Sequence, residues 1–140
     1  MADRFELGRF VDAQADAYST ALAEIAAGNK RTHWMWFVFP QIAGLGRSAT
    51  ARHYAIASIE EARAYLDHPL LGPRLIECVA ALVRLADPDA EGVFGPVDAV
   101  KLRSSLTLFA RAGAPAIVEG ELQRWFGGPD PATLRLLTPL

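Results

Sequence analysis

Between Ile25 and Ile59 the chain carries no carboxylate side chain, whereas Lys30, Arg31, Arg47 and Arg52 place four positive charges there and His33 and His53 can add to them. The protein as a whole is acidic, with a formal charge of −2. A local cationic excess of this kind favours an anionic partner, because cations held on a low-dielectric wall attract charge far better than scattered surface lysines do. The same stretch contains KRTHWMWFVFPQ, Lys30 to Gln41, dense in large rings. Trp34, next to His33, is the better wall for a flat ligand ring, a contact worth roughly 1–3 kcal/mol per stacked base in single-strand binders. Trp36, Phe39 and Ile42 suit the core better, because residues two apart on a helix point in different directions. A solvated basic turn whose cations pair with carboxylates on neighbouring helices accounts for the same charges without a ligand.

A second constellation lies in FGPVDAVKLRSSLTLFAR. On a helix, Asp98, Lys101 and Ser105 share one face with Ser104 flanking, while Val100, Leu106, Leu108 and Phe109 supply apolar contacts. Lys101 would then be an anion ligand, or a base if burial lowers its pKa, with Asp98 orienting it. Ser104 is the candidate nucleophile, although the order and spacing match none of the named hydrolase signatures. The plain alternative is a surface ion pair with serines at close helix contacts. His33 is the acid–base candidate, and Arg31 or Arg47 would steady negative charge together with Lys101. Gly44 and Gly46 in GLGRS lack the strand and spacing of a dinucleotide or P-loop fingerprint. What remains is a helix starting at Ser48 or Ala49 whose amide end, with Arg47 and Arg52, holds a phosphate or carboxylate. Arg74 sits in the first turn of an apolar helix against the dipole preference, which calls for a partner, either Glu77 or a bound anion. His33, His53 and His68 show no metal spacing, so neither a metal nor a cofactor is expected. His68, before Pro69, reads as a capping or packing residue.

The elements that must position these groups are helical. Phe10, Val11, Ala17, Tyr18, Ala21, Leu22 and Ile25 form one stripe that stops at Gly28 and Asn29, predicting a single long first helix. Ser58 and Glu61 have capping-box spacing and open another. Leu70 to Ala86 follows, with Pro73 in its first turn. Asp87 or Asp89 caps a short turn running into Phe94 and Gly95. Pro96 to Arg111 is a further helix, Pro115 opens one that closes on Gly127 and Gly128, and Asp130 with Pro131 starts the last. WMWFVFP suits a short helix or an edge strand. Pro40 forces Phe39 out of the helical region and a lone strand has nothing to pair with, so a short helix is expected. The reading is all-α: one domain over residues 1–140 with about six or seven helices, several of them short.

At 140 residues and 51% apolar content, such a chain buries a core without disulfides or metal. The solitary Cys78 cannot pair within the chain and reads as a small core hydrophobe, consistent with a reducing compartment. MADRFELGRF lacks the apolar block of a signal peptide, and no stretch is long enough to span a bilayer. A cytoplasmic protein without membrane contact is expected.

THWMWFVFPQ, YAIAS, YLDHPLLGPRL and FGPVDAVKLRSSLTLFA, in this order, resemble the bacterial domain-of-unknown-function family numbered 1810, sometimes labelled calpastatin-like. The resemblance runs from Phe10 to Leu137. It implies a small multihelical fold and brings no catalytic assignment. The family pattern falls on Trp34, Trp36, Phe39, Pro40, Gln41, Tyr54, His68, Pro69, Gly72, Arg74, Phe94, Gly95, Asp98, Lys101, Ser104, Ser105 and Phe109. Gln41, Tyr54, Arg74 and Ser105 complete the candidate ligand-binding residues. The sequence departs from the pattern at Gly8, where relatives carry a better helix former. The inhibitor label implies little, since calpain inhibitors are long disordered chains and this composition is globular.

Together these features point to a polar cleft, formed by the segment 30–54 and the helix carrying Asp98 to Ser105, that binds a small anionic ligand such as a nucleotide or phosphorylated metabolite. Whether a reaction follows is left open, as is homo-oligomerisation. The alternative is a non-catalytic interaction module with an exposed aromatic docking patch. Nucleic acid is a distant third, because the basic segment is short and the total charge negative.

Overall fold

The computed structural model describes residues 3–138. Ten helices follow one another in them: α1 (Gly8–Gln14), α2 (Tyr18–Ala26), α3 (Met35–Val38), α4 (Ala49–His53), α5 (Ile59–Asp67), α6 (Leu71–Val83), α7 (Ala90–Phe94), α8 (Pro96–Arg111), α9 (Ala116–Phe126) and α10 (Pro131–Leu137). Among the described residues no strand forms, and the fold is all-α. WMWFVFP gives the four-residue α3, which ends before Phe39 and Pro40. One isolated parallel bridge between Ile42 and Ile56 fastens the two ends of the loop that carries α4. No helix among these residues is long and apolar enough to cross a membrane.

The long first helix is corrected to two. The chain turns after Gln14 because the halves of the apolar stripe have different partners: α1 packs on α3, and α2 packs on α6. Gln14 makes the turn tolerable. It is buried, yet its amide nitrogen donates to the Phe37 carbonyl at 2.7 Å and to Tyr65 Oη at 3.1 Å, which satisfies a group that would otherwise be costly to hide. At the start of α1 the Asp3 carboxylate accepts the amides of Leu7 and Gly8, each at 2.7 Å. A Cβ on Gly8 would stand 3.2 Å from that carboxylate, so the departure from the family pattern lies at a capped helix start.

Local capping chemistry sets most other boundaries. Ser48, Ser58, Asp89 and Asp130 each accept an amide of the following turn, which satisfies donors that a helix start leaves unpaired. Glu61 reaches back to the amide of Ala57 at 3.0 Å and pairs through its other oxygen with Arg9 at 2.8 Å. His68 Nδ1 accepts from the amides of Leu70 and Leu71, a capping role for α6. There α5 and α6 approach so closely that a Cβ at Gly72 would lie 2.0 Å from the Leu66 carbonyl oxygen.

The central element is α8, which packs against α3, α5, α7, α9 and α10. Leu102 and all residues from Ser104 to Phe109 are buried. Phe109 meets Tyr65 at 5.1 Å, which meets Phe10 edge-on at 5.2 Å. Arg124 of α9 donates to the Leu82 and Leu85 carbonyls at the end of α6. Arg103 of α8 holds the Gly128 and Pro129 carbonyls, which fixes the loop leading into α10. Gly95, at φ +82°, turns the chain from α7 into α8 in a backbone conformation that favours glycine. Cys78 is buried, and burial pushes its thiol up to about 12.

Candidate functional site

The segment entering α3 is shaped by Glu24 of α2. Its Oε1 accepts the amides of Arg31 at 2.8 Å and Thr32 at 3.0 Å and the indole N–H of Trp34 at 2.9 Å; its Oε2 accepts the Thr32 hydroxyl at 2.8 Å. Desolvation pushes the carboxyl pKa up, but these four bonds to the ionised form more than reverse it and hold it at about 2. The consequence is steric. Drawn toward Glu24, Trp34 is only 1% exposed and packs against Phe39 and Phe94. The expected parts of the two tryptophans are therefore exchanged: Trp34 is core, and the half-buried Trp36 is the wall.

Lys30 is held by the same turn. Its amide donates to the Val93 carbonyl at 2.8 Å, its Nζ lies 4.9 Å from the Trp34 ring centre, and the ammonium pairs with Asp98 Oδ2 at 2.8 Å. Asp98, in the first turn of α8, offers Oδ1 to Lys101 Nζ at 3.4 Å. Lys101 in turn sits over Trp36, 4.5 Å from its ring centre, a cation–π arrangement. The order is Trp34, Lys30, Asp98, Lys101, Trp36. Two ammonium groups share one carboxylate, which leaves one net positive charge between segment 30–36 and α8.

Two adjoining hollows open here. The first, about 320 Å³, is lined by Lys30, His33, Trp36, Asp98 and Lys101 with Phe94, Pro96 and Val97. The second, about 490 Å³, is lined by Gln41, Leu45, Val97, Val100, Lys101, Ser104, Asp130 and Ala132 among others. Pro96, Val97 and Lys101 belong to both, so the Lys101 ammonium stands at their junction. These volumes are in the range of small-molecule sites.

A hydrogen-bonded chain forms the inner wall of the second hollow. Gln41 Nε2 donates to Ser104 Oγ at 3.2 Å, and Ser104 Oγ is 3.2 Å from Thr133 Oγ1. The Thr133 hydroxyl is 2.5 Å from Asp130 Oδ2, which also accepts the Thr133 amide at 3.1 Å. A hydroxyl has one proton, and that of Thr133 goes to the carboxylate. Ser104 therefore donates to Thr133 and accepts from Gln41. Its bonds run to α10 and to the loop after α3, not to Lys101.

Of the candidate residues, His33, Gln41, Asp98, Lys101 and Ser104 converge on the two hollows, which places segment 30–41 and α8 side by side. The rest lie elsewhere. Arg31 lines a separate open depression beside Glu24 and Asn29. Arg47 is exposed on the loop before α4 and lines neither hollow. Tyr54 packs against Phe37 at 5.4 Å and Phe10 at 5.9 Å, and the space it shares with Trp36 and Gln41 is only about 10 Å³. Arg74 lies over the Tyr18 ring at 4.5 Å and donates to Gln14 Oε1 at 3.3 Å. Glu77, one of the two partners expected for it, instead accepts the Tyr18 hydroxyl. Ser105 is buried with no hydrogen-bond partner. Sequence reasoning missed Lys30 and Trp36 as wall residues, and it read Asp130 only as a cap. Among the described residues no group of three or more His, Cys, Asp or Glu side chains could hold a metal ion.

The fold and the site define a small all-α protein with two adjoining hollows on its central helix, the first of them net-cationic. The chain belongs to the DUF1810 family: the family model described as "Protein of unknown function (DUF1810)" matches residues 4–137. Among solved structures, the chain is similar to the conserved hypothetical protein Rv1873 from Mycobacterium tuberculosis, with a TM-score of 0.95 and 50% sequence identity over 99% of this chain and 100% of that one. No curated protein matches.

Proposed function

We propose that the chain binds a small anionic ligand, a nucleotide or a phosphorylated metabolite, in the double hollow between segment 30–41 and α8. The observation that carries this reading is the Lys101 ammonium at the junction of the hollows, held by Asp98 at 3.4 Å and by the Trp36 face at 4.5 Å. An ammonium group has three donors, and a pre-positioned cation on a partly desolvated wall loses little freedom when an anion arrives. Lys30 offsets Asp98, so the first hollow is net positive, and His33 lines it as well. A reducing cytoplasm is the compartment this reading assumes, given the single cysteine.

An aromatic docking patch has less support. The large exposed hydrophobic side chains among the described residues are Val83, Val97, Val100 and Leu136, none of them aromatic.

The test is calorimetric titration of the parent protein and Lys101→Met with inorganic phosphate and pyrophosphate. Binding to the parent that weakens at least tenfold in Lys101→Met supports the reading. Equal affinity in both, or no binding to the parent, overturns it.

A further inference from the structure

The two hollows differ in what they offer a ligand, and the difference follows from counting protons. The first presents ammonium groups and a histidine. In the second, all but one of the donors along the inner wall are already spent inward: Thr133 N–H and O–H on Asp130 Oδ2, Ser104 O–H on Thr133, and one of the two Gln41 N–H on Ser104. Among the described residues, Asp130 Oδ1 and Gln41 Oε1 have no hydrogen-bond partner. The amide orientation of Gln41 is fixed by the same count, since Ser104 has no second proton to give it. This wall therefore offers two free acceptors, one of them a carboxylate oxygen, against a single free N–H of Gln41. Leu45, Pro96, Val97, Val100 and Ala132 supply apolar walls on either side.

We infer that the ligand is a nucleotide whose base carries an exocyclic amine, with its phosphate at Lys101 in the first hollow and its base in the second, the amine donating to Asp130 Oδ1 or Gln41 Oε1. This rests on the anion-binding reading and extends it. A keto oxygen in the amine's place would face a carboxylate oxygen with no proton between them, and unpaired acceptors in a partly dry site discriminate strongly against such a ligand. Val97 and Val100, 68% and 64% exposed, flank the opening, where a base would cover them.

The experiment titrates the parent protein with AMP against IMP and with CMP against UMP, each pair exchanging an amine for a keto group, and with inorganic phosphate. It then repeats the series on Asp130→Asn, since asparagine caps a helix about as well as aspartate does. The expected result is tighter binding of AMP and CMP by about tenfold, the factor that 1.4 kcal/mol supplies. Asp130→Asn should level each pair. Equal affinities within the pairs on the parent, or a preference that survives in Asp130→Asn, overturn the inference and leave the phosphate reading standing. Absence of binding by every probe removes both. The comparison on the parent alone decides the base preference even where the variant folds poorly.

Discussion

Lys30 and Asp98 form an ion pair of 2.8 Å that ties the segment before α3 to the first turn of α8. The side chains are 6% and 20% exposed, so neither charge is free to be solvated by simple rotation. With Lys101 on the other carboxylate oxygen, removal of Asp98 leaves two ammonium groups facing each other across the hollow.

Asp98→Asn therefore has opposite effects on two measurements. Stability falls by about 2 kcal/mol, less than the 3–5 kcal/mol typical of breaking a fully buried pair because this one is partly wet. Inorganic phosphate, if it binds at Lys101, binds roughly tenfold more tightly, since the neutralising charge has gone. Urea denaturation and calorimetry on one sample check both. Weaker phosphate binding in the variant would mean that the hold of Asp98 on Lys101 outweighs the charge it offsets.

Glu24 supplies the pH dependence. Its carboxyl sits at about 2 against an ordinary value of 4.5. A group whose pKa is lowered by folding stabilises the fold above its unfolded value and loses that contribution as pH falls. The contribution is thus complete above about 4.5 and fades toward 2. Glu24→Gln should cost roughly 1–3 kcal/mol at pH 7, where a charged acceptor of four bonds is lost. The gap between parent and variant should narrow as pH is lowered from 4.5 toward 2.5. Urea midpoints at pH 7, 4 and 2.5 measure it, and a constant gap would exclude Glu24 as its source.

What could be read in the sequence was what neighbours along the chain decide. Ser48, Ser58, Asp89 and Asp130 cap helices because a hydroxyl or carboxylate reaches the amide three residues on, and Pro40 ends α3 by its own ring. The choice between Trp34 and Trp36 could not be read, because Glu24, on another helix, takes the Trp34 indole N–H and turns that ring inward. Likewise the apolar stripe from Phe10 to Ile25 looks continuous, and only the different partners of its halves, α3 and α6, require the turn. The neighbourhood of segment 30–41 and α8 was legible as a shared polarity, cations on one and a Lys–Asp pair on the other. That Lys30 would cross to Asp98 was not, since nothing local tells which cation pairs with which carboxylate.

The adjacent serines of α8 should behave in opposite ways. Ser104→Ala strips a partner from Gln41 Nε2 and Thr133 Oγ1, and the stranded groups cost about 1–3 kcal/mol. Ser105→Ala removes a buried hydroxyl that bonds nothing and should be neutral or stabilising by up to about 1 kcal/mol. Guanidinium midpoints of the two variants rank them, and the reverse order would mean that Ser105 has a partner, such as a buried water.

The tryptophans separate folding from binding. Trp34→Phe loses one of the four bonds to Glu24 and part of a ring that is 1% exposed, so it should destabilise by about 2–3 kcal/mol through an unfilled volume and the lost charge-assisted bond. Phosphate affinity of the folded protein should change little. Trp36 is half-buried and has Lys101 over its face. Phe keeps an apolar surface there but is a weaker cation–π platform, so Trp36→Phe should cost under about 1 kcal/mol of stability while Lys101 is held less firmly and phosphate binds several-fold more weakly. Thermal denaturation and calorimetry on the two variants form a cross-comparison. If Trp34→Phe alone weakened phosphate binding, the wall of the hollow would be the buried ring after all, reached by an opening of the turn that Glu24 now holds shut.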